Sequence, residues 1–397
     1  MTERDVWITG IGLVSCFGEG AQFHWETLGG DTAPAPVVDS ERFKPYCVHP
    51  LPEMDWSQQI PRRGDQRQME NWQRLGTYAA GLALDDAGLK ENEELVSTMD
   101  LVVAAGGGER DLDVDASILK DAQSRNDREN LLNERLPNEL RPTLFLAQLS
   151  NLMAGNISIV HKVTGSSRTY MGEESAGVTS IENAMRRISA GQSTHLLVGG
   201  GFNAERPDLL LTMELGQYGH RGAYAPVAAR RQSGGGMILG SAGAFLVLED
   251  AEHARARGAK AYAKMGGVAS DLGQRDEAAT RQRLGAMFDK LDTKSVGGVI
   301  SGACGVEPVT SIEFDLLRER LGENVAIRAF TSMTGTAIEA NFPIAVSLAA
   351  LAIHNKRFYP AFEEAEKPAS GSPQSILVSA LGHYRGEGLG LVESIDA

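Results

Sequence analysis

The sequence predicts an α/β sandwich, because short apolar runs stop at glycine clusters along the whole chain and helical segments separate them. Val6-Trp7-Ile8-Thr9 stops at Gly10-Ile11-Gly12, which reads as a strand ending in a tight turn. Asp100-Leu-Val-Val-Ala-Ala stops at Gly106-Gly107-Gly108, and His195-Leu-Leu-Val stops at Gly199-Gly200-Gly201. Ala244-Phe-Leu-Val-Leu is a further strand, followed by the charged helix Asp250-Ala-Glu-His-Ala-Arg-Ala-Arg. The scheme then resumes: Ala261-Tyr-Ala-Lys-Met leads to Gly266-Gly267, Gly298-Val-Ile to Ser301-Gly302, and Ser375-Ile-Leu-Val to Leu381-Gly382. A count of 45 glycines against 15 prolines suits a chain with many strand-to-loop turns.

The two stretches read as a loose repeat of architecture, 1–250 and 251–397, with slight identity between them. No linker or low-complexity segment divides them, so they pack as one body. The most polar region, 109–141, reads as an insertion, because its charges lie over few apolar anchors. Excursions of that length cap a site or meet a partner. Two helices matter for chemistry. Residues 175–190 carry Val178, Ile181, Met185 and Ile188 at three- and four-residue steps, a buried stripe, with Glu173 and Glu174 at its first turn. Residues 336–354 are apolar nearly all round, through Ile338, Phe342, Ile344, Leu348 and Leu351, so this helix is central.

Composition bounds the function. The 397 residues are ample for a real core, and 42 % hydrophobic with 23 % charged residues is ordinary for a globular protein. A net charge of −14 argues against nucleic acid as the main partner, since phosphate binding wants a basic surface. Cys16, Cys47 and Cys304 stand too far apart and too irregularly for a disulfide framework or a metal-ligand pattern. The apolar stretch 345–353 is about half a membrane span of ~20 residues. The charged start, Met1-Thr-Glu-Arg-Asp, runs straight into a strand and is unlike a signal peptide, so the expected location is cytoplasmic.

Thr9-Gly-Ile-Gly-Leu-Val-Ser invites a dinucleotide reading, but Ser15 stands where the third glycine belongs and no acidic residue ends a second strand at the required distance. No cofactor is expected. Taken together, however, several segments resemble one family. Val6-Trp-Ile-Thr-Gly-Ile-Gly-Leu-Val-Ser with Gly18 and His24-Trp25-Glu26-Thr27-Leu28 looks like the opening of β-ketoacyl-acyl-carrier-protein synthases of the elongating type. Asn151-Leu-Met-Ala-Gly-Asn-Ile-Ser-Ile, Glu174-Ser-Ala-Gly and Leu197-Val-Gly-Gly-Gly are similar to the segments around the family's nucleophile. Gly240-Ser-Ala-Gly-Ala-Phe-Leu-Val-Leu-Glu, the following His253-Ala-Arg-Ala-Arg-Gly-Ala-Lys-Ala-Tyr, and Thr331-Ser-Met-Thr-Gly-Thr continue the likeness in order. The resemblance implies the thiolase fold, two similar βαβαβαβ halves in a five-layered α-β-α-β-α sandwich.

The same resemblance exposes what is missing. The family's nucleophilic cysteine, placed where a positive helix end favours a thiolate, corresponds to Glu174. The first catalytic histidine, in a His-Gly-Thr loop, corresponds to Ser301 of Ser301-Gly302-Ala303, and the second to Thr336. Thr331 replaces the family's lysine, and Ser241 the acid of its Gly-Glu-Gly-Ala-Gly turn. The Gly-Phe-Gly-Gly-Thr-Asn loop reads Gly382-His383-Tyr384-Arg385-Gly386-Glu387. Condensation needs a thiolate to carry the acyl chain and two imidazoles to polarise the malonyl thioester, and an acyl-carboxylate is a reactive mixed anhydride.

Each substitute has a functional and a bland reading. Cys304 is a displaced nucleophile or a small loop residue. His383 and Tyr384 are acid–base groups or space fillers. Glu174 is an acid–base group, a helix-capping charge, or an ion-pair partner of an arginine such as Arg385; the last two are preferred. The implied role resembles that of the chain-length factors of polyketide and aryl-polyene pathways: a non-catalytic subunit beside an active β-ketoacyl synthase paralogue, with acyl-carrier protein as further partner. Two alternatives stay open, an enzyme with rebuilt acyl-transfer or hydrolytic chemistry at Glu174, Cys304 or His383, and a homodimer that only binds acyl-carrier protein or acyl chains. The resemblance also implies a dimer in which the strand following the central helix pairs across a two-fold axis, in a region that includes Arg168-Thr-Tyr-Met and the polar insertion.

Overall fold

A computed structural model describes residues 4–273, 275–369 and 371–396, so the first three residues of the chain lie outside it. The first stretch supplies five long strands: β1 (Val6–Ser15), β2 (Asp100–Ala104), β3 (Ser167–Tyr170), β4 (His195–Phe202) and β5 (Ala242–Asp250). The second supplies β6 (Ala263–Asp271), β7 (Val296–Ser301), β8 (Ile327–Ala329), β9 (Ser375–Leu381) and β10 (Glu387–Glu393). Along the sheet they run β3-β2-β4-β5-β1 and then β6-β10-β9-β7-β8. Numbered within each stretch and read from the outer edge to the seam, both orders are third, second, fourth, fifth, first. The sense of pairing also repeats: β2 is parallel to β3 and β4, as β7 is to β8 and β9, while β5 and β10 are antiparallel to both neighbours. The seam is narrow, Trp7 opposite Lys264 and Ile8 opposite Ala263.

Helices fill three layers. On the outer side of the first sheet lies α1 (Asn71–Asp86), with α2 (Leu112–Ala122), α3 (Arg128–Glu139) and α4 (Leu152–His161) following β2. Between the sheets lie α5 (Glu174–Ser189) and, after α6 (Glu277–Phe288) and α7 (Val309–Leu321), the apolar α8 (Asn341–His354). Strand alternation sorts the core accordingly. Leu197, Phe245 and Val247 face α1, whereas Leu196, Val198, Leu246 and Leu248 join Val178, Ile181, Phe342 and Leu348 in the central layer. This is the five-layered thiolase arrangement.

Four expectations need correction. β1 does not end at Gly10 but continues to Ser15, and β4 continues through its three glycines to Phe202. These glycines serve close packing rather than turns: a Cβ on Gly12 would stand 1.9 Å from the Ala79 carbonyl oxygen of α1, and one on Gly199 would stand 2.0 Å from the Ala244 carbonyl oxygen of β5. The central helix begins at Glu174 rather than 175, and α8 begins at Asn341, with a separate short turn at Thr331–Thr334 before it. The strand following the central helix, β4, is interior. The segment around Arg168 forms β3, which precedes that helix and is one of the two sheet edges, with β8 at the other. The polar insertion is a pair of helices, α2 and α3. Among the described residues no helix is long and apolar enough to cross a membrane.

Gly12→Ala is expected to lower stability by roughly 2 kcal/mol through overpacking of β1 against α1. Chemical denaturation at equal slope checks this, with Gly88→Ala compared as a site where a Cβ meets nothing within 4 Å but the backbone has φ +66°.

Candidate functional site

In open parallel sheets, ligands gather outside the carboxyl ends of the strands. Here the loops after β7 and β9, with the start of α5 after β3, bring Cys304, His383 and Glu174 to one place. Glu173, immediately before the helix, holds φ 57° and ψ −136°, a strained conformation costing on the order of 1–3 kcal/mol. That sharp turn sets Glu174 as the first helical residue, where unpaired backbone N–H groups favour negative charge.

Glu174 is fully buried, and its Oε1 accepts hydrogen bonds from His383 Nδ1 at 2.8 Å and from the His383 backbone N–H at 3.2 Å. The Tyr218 ring stands edge-on to the imidazole, 4.8 Å between centroids. Burial alone would raise the Glu174 carboxyl; the charge and hydrogen bond of His383 outweigh it and hold it below the usual carboxylate range. Burial alone would lower His383, but the charge and hydrogen bond of Glu174, with Glu173 adding, raise it. Between their usual values of 4.5 and 6.5 the two groups therefore form a carboxylate–imidazolium pair. The loop carrying His383 is tied down as well. Arg275 pairs with the buried Glu387 carboxylate and donates from Nη2 to the Gly382 carbonyl at 2.7 Å, and Arg283 reaches Glu387 at 3.0 Å.

This revises the expected partner of Glu174. Arg385 is exposed and lies 3.9 Å from Glu173 instead, because the loop turns its side chain outward together with Tyr384. Cys304 is buried in reach of the Glu174 charge; burial first, then that charge, push its thiol up to about 12. A thiol so held stays protonated and is a poor nucleophile. The hydroxyl-bearing substitutes face elsewhere. Ser301 donates to Glu313 at 2.6 Å, sharing that buried carboxyl with Ser379. Thr331 donates to the Ala303 carbonyl, and Ser241 bridges the Ala204 N–H and Asn203. The Thr336 hydroxyl is buried without a hydrogen-bond partner among the described residues. The structure thus brings together Glu174, His383, Gly382 and Cys304, and assigns Ser301, Thr331 and Ser241 to separate local networks.

Arg275, Arg283, Glu313 and Glu339 are among the participants that escaped sequence reasoning. Glu339 is a buried acid whose carboxyl feels the charges of Glu173 and Glu174. Its signal was present as a single acid in the apolar run from Ala337 to Ile353.

A site at the strand ends of a doubled thiolase-type fold defines the class. Over 99 % of both chains the structure superposes on the ishigamide ketosynthase/chain length factor, with TM-score 0.80 at 18 % identity, which shows a common fold. Residues 3–254 match the family described as "Beta-ketoacyl synthase, N-terminal domain", and the chain belongs to the β-ketoacyl synthase family. It is 28 % identical to the 3-oxoacyl-[acyl-carrier-protein] synthase 2 of Vibrio harveyi over 67 % of this chain and 63 % of that protein. It is 26 % identical to the tetracenomycin polyketide synthase ketoacyl synthase beta subunit of Streptomyces glaucescens over 88 % of this chain and 85 % of that one.

The ion pair predicts a pH window. Glu174, being lowered, contributes stability above its usual 4.5 that is lost as pH falls through its folded value. His383, being raised, contributes fully below its usual 6.5 and loses this as pH rises through its folded value. His383→Gln should therefore cost about 3 kcal/mol near pH 5.5, by leaving a buried carboxylate alone. Adding Glu174→Gln should recover part of that loss. Denaturation of both single variants and the double variant measures the coupling, which should fade toward acid and alkaline pH.

Proposed function

We propose that this protein is a non-catalytic subunit of a β-ketoacyl synthase, pairing with an active paralogue in the manner of a chain-length factor. The observation that carries this reading is the Glu174–His383 pair: the helix terminus that would present a thiolate instead holds a carboxylate that is buried, ion-paired and closed under a latched loop. Glu174 Oε1 is taken up by His383, Oε2 is buried without a hydrogen-bond partner among the described residues, and an acyl-carboxylate formed there would hydrolyse rather than wait for a malonyl partner. With Ser301 and Thr336 at the proposed histidine positions, no imidazole pair remains to polarise the malonyl thioester. The likeness to the tetracenomycin beta subunit and to a chain length factor supports the reading, and the likeness to a 3-oxoacyl-[acyl-carrier-protein] synthase supports acyl-carrier protein as a further partner.

Surface chemistry favours an obligate partner. The edge strand β3 offers unpaired backbone groups, and Phe145, Ile159 and Met171 nearby in sequence are each more than half exposed. A sheet edge left in water beside exposed apolar side chains, here the four-residue strand Ser167–Tyr170, invites association. An interface above the ~1,600 Å² of standard complexes is expected, as in permanent assemblies.

A second reading, acid–base chemistry at the pair itself, rests on one observation: His383 Nε2 has no hydrogen-bond partner among the described residues. It predicts turnover of acyl thioesters that His383→Gln abolishes.

Purified alone, the protein should neither become acylated by acyl-carrier thioesters nor release carbon dioxide from malonyl-carrier protein. Mixed with an intact synthase encoded beside it, it should form a heterodimer in preference to both homodimers, read by native mass spectrometry. Turnover above a blank, or a chain that stays monomeric at micromolar concentration and never exchanges with a synthase, would overturn the proposal.

A further inference from the structure

A cavity of ≈ 150 Å³ lies at the carboxyl ends of β2 and β4, bounded in part by Trp72, Phe202 and Leu209 and by two charged residues, Arg206 and Glu339. Glu339 is only 7 % exposed, and among the described residues no other side chain hydrogen-bonds or ion-pairs with its carboxyl group. Burial, with the nearby charges of Glu174 and Glu173 adding to it, pushes that carboxyl up to about 7 against its own backbone amide and the Arg206 charge. A buried carboxyl with no side-chain partner is costly, and this one lines a cavity. Gly106 makes the room: a Cβ there would stand 2.2 Å from Glu339 Oε1.

Charge restricts the occupant. Arg206 is fixed in the wall by the Gly108 carbonyl at 3.0 Å and by Asp208 at 2.6 Å, so it opposes a cationic ligand. The carboxylates of Glu173 and Glu174 oppose an anionic one. What remains is a neutral group that exchanges hydrogen bonds with a carboxylic acid between apolar walls. The volume is that of about five waters at ~30 Å³ each, which suits some four carbons and an oxygen.

We propose that this cavity binds the oxygen-bearing end of an acyl chain, a hydroxyl or keto group, and that Glu339 is the residue selecting it over a saturated chain. The inference rests on the acyl-synthase reading above and adds the class of chain.

Calorimetric titration of the full chain with 3-hydroxybutyryl-, acetoacetyl- and butyryl-pantetheine tests it. Both oxygenated thioesters should bind about tenfold more tightly than butyryl-pantetheine, the worth of one buried hydrogen bond. The first two probes separate hydroxyl from keto recognition. Glu339→Leu, of similar bulk, should bring all three within about twofold, and Gly106→Ala should weaken all three. Equal binding of butyryl-pantetheine to the native protein, discrimination that survives in Glu339→Leu, or binding of none of the three would overturn the inference. If the leucine variant does not fold, the ranking on the native protein decides alone. Such a failure alongside heterodimer formation would leave the partner reading intact.

Discussion

A carboxylate taken out of water must find compensation on the spot. Glu174 finds it in one imidazolium and one backbone amide, both from His383, and the rest of the site is arranged around that need. The helix that carries Glu174 belongs to the first half of the chain, and the loop that carries His383 to the second, so the pair also fastens the two halves across the central layer. Removing either partner leaves a buried charge alone, which is the costly case for such pairs. The loop geometry that supplies His383 is held in turn by Arg275, Arg283 and Glu387, a second buried ion cluster one step further from the helix. The local order of the site is therefore electrostatic, set on a scaffold that is apolar.

That scaffold makes the juxtaposition unavoidable. Both halves repeat one strand order and one sense of pairing, so the carboxyl ends of parallel strands from each half converge near the helices between the sheets. Residues following β3, β7 and β9 meet there whatever their identity. The fold thus guarantees a site; the side chains decide its chemistry. In this chain they supply a closed ion pair, a buried thiol, and the hydroxyls of Ser301 and Thr331 tied to local carboxyl and carbonyl groups.

Much of this was legible in the sequence. Alternating strands and helices and the apolar character of α8 followed from periodicity alone. Strand ends were misjudged at Gly10 and Gly199 because glycine signals both a turn and a close approach of a neighbouring element, and only packing distinguishes them: the Ala79 carbonyl against Gly12 is a contact between residues 67 apart in the chain. The Glu174 partner was misassigned for a similar reason. Arg385 and His383 lie two residues apart, on opposite sides of the loop, and which one turns inward depends on the latch at Gly382 rather than on local pattern. Glu339 carried its own signal, an acid in an apolar run, yet its meaning depends on Gly106 from a distant loop.

The central claim is that the helix terminus holds a charged, closed pair rather than a reactive group. Nitrogen-15 NMR of the His383 ring at pH 7, assigned through His383→Gln, tests it most directly. The account predicts an imidazolium with both ring nitrogens protonated, its signal perturbed by Glu174→Gln. A neutral imidazole with a deprotonated Nε2 open to solvent, unchanged by Glu174→Gln, would contradict it.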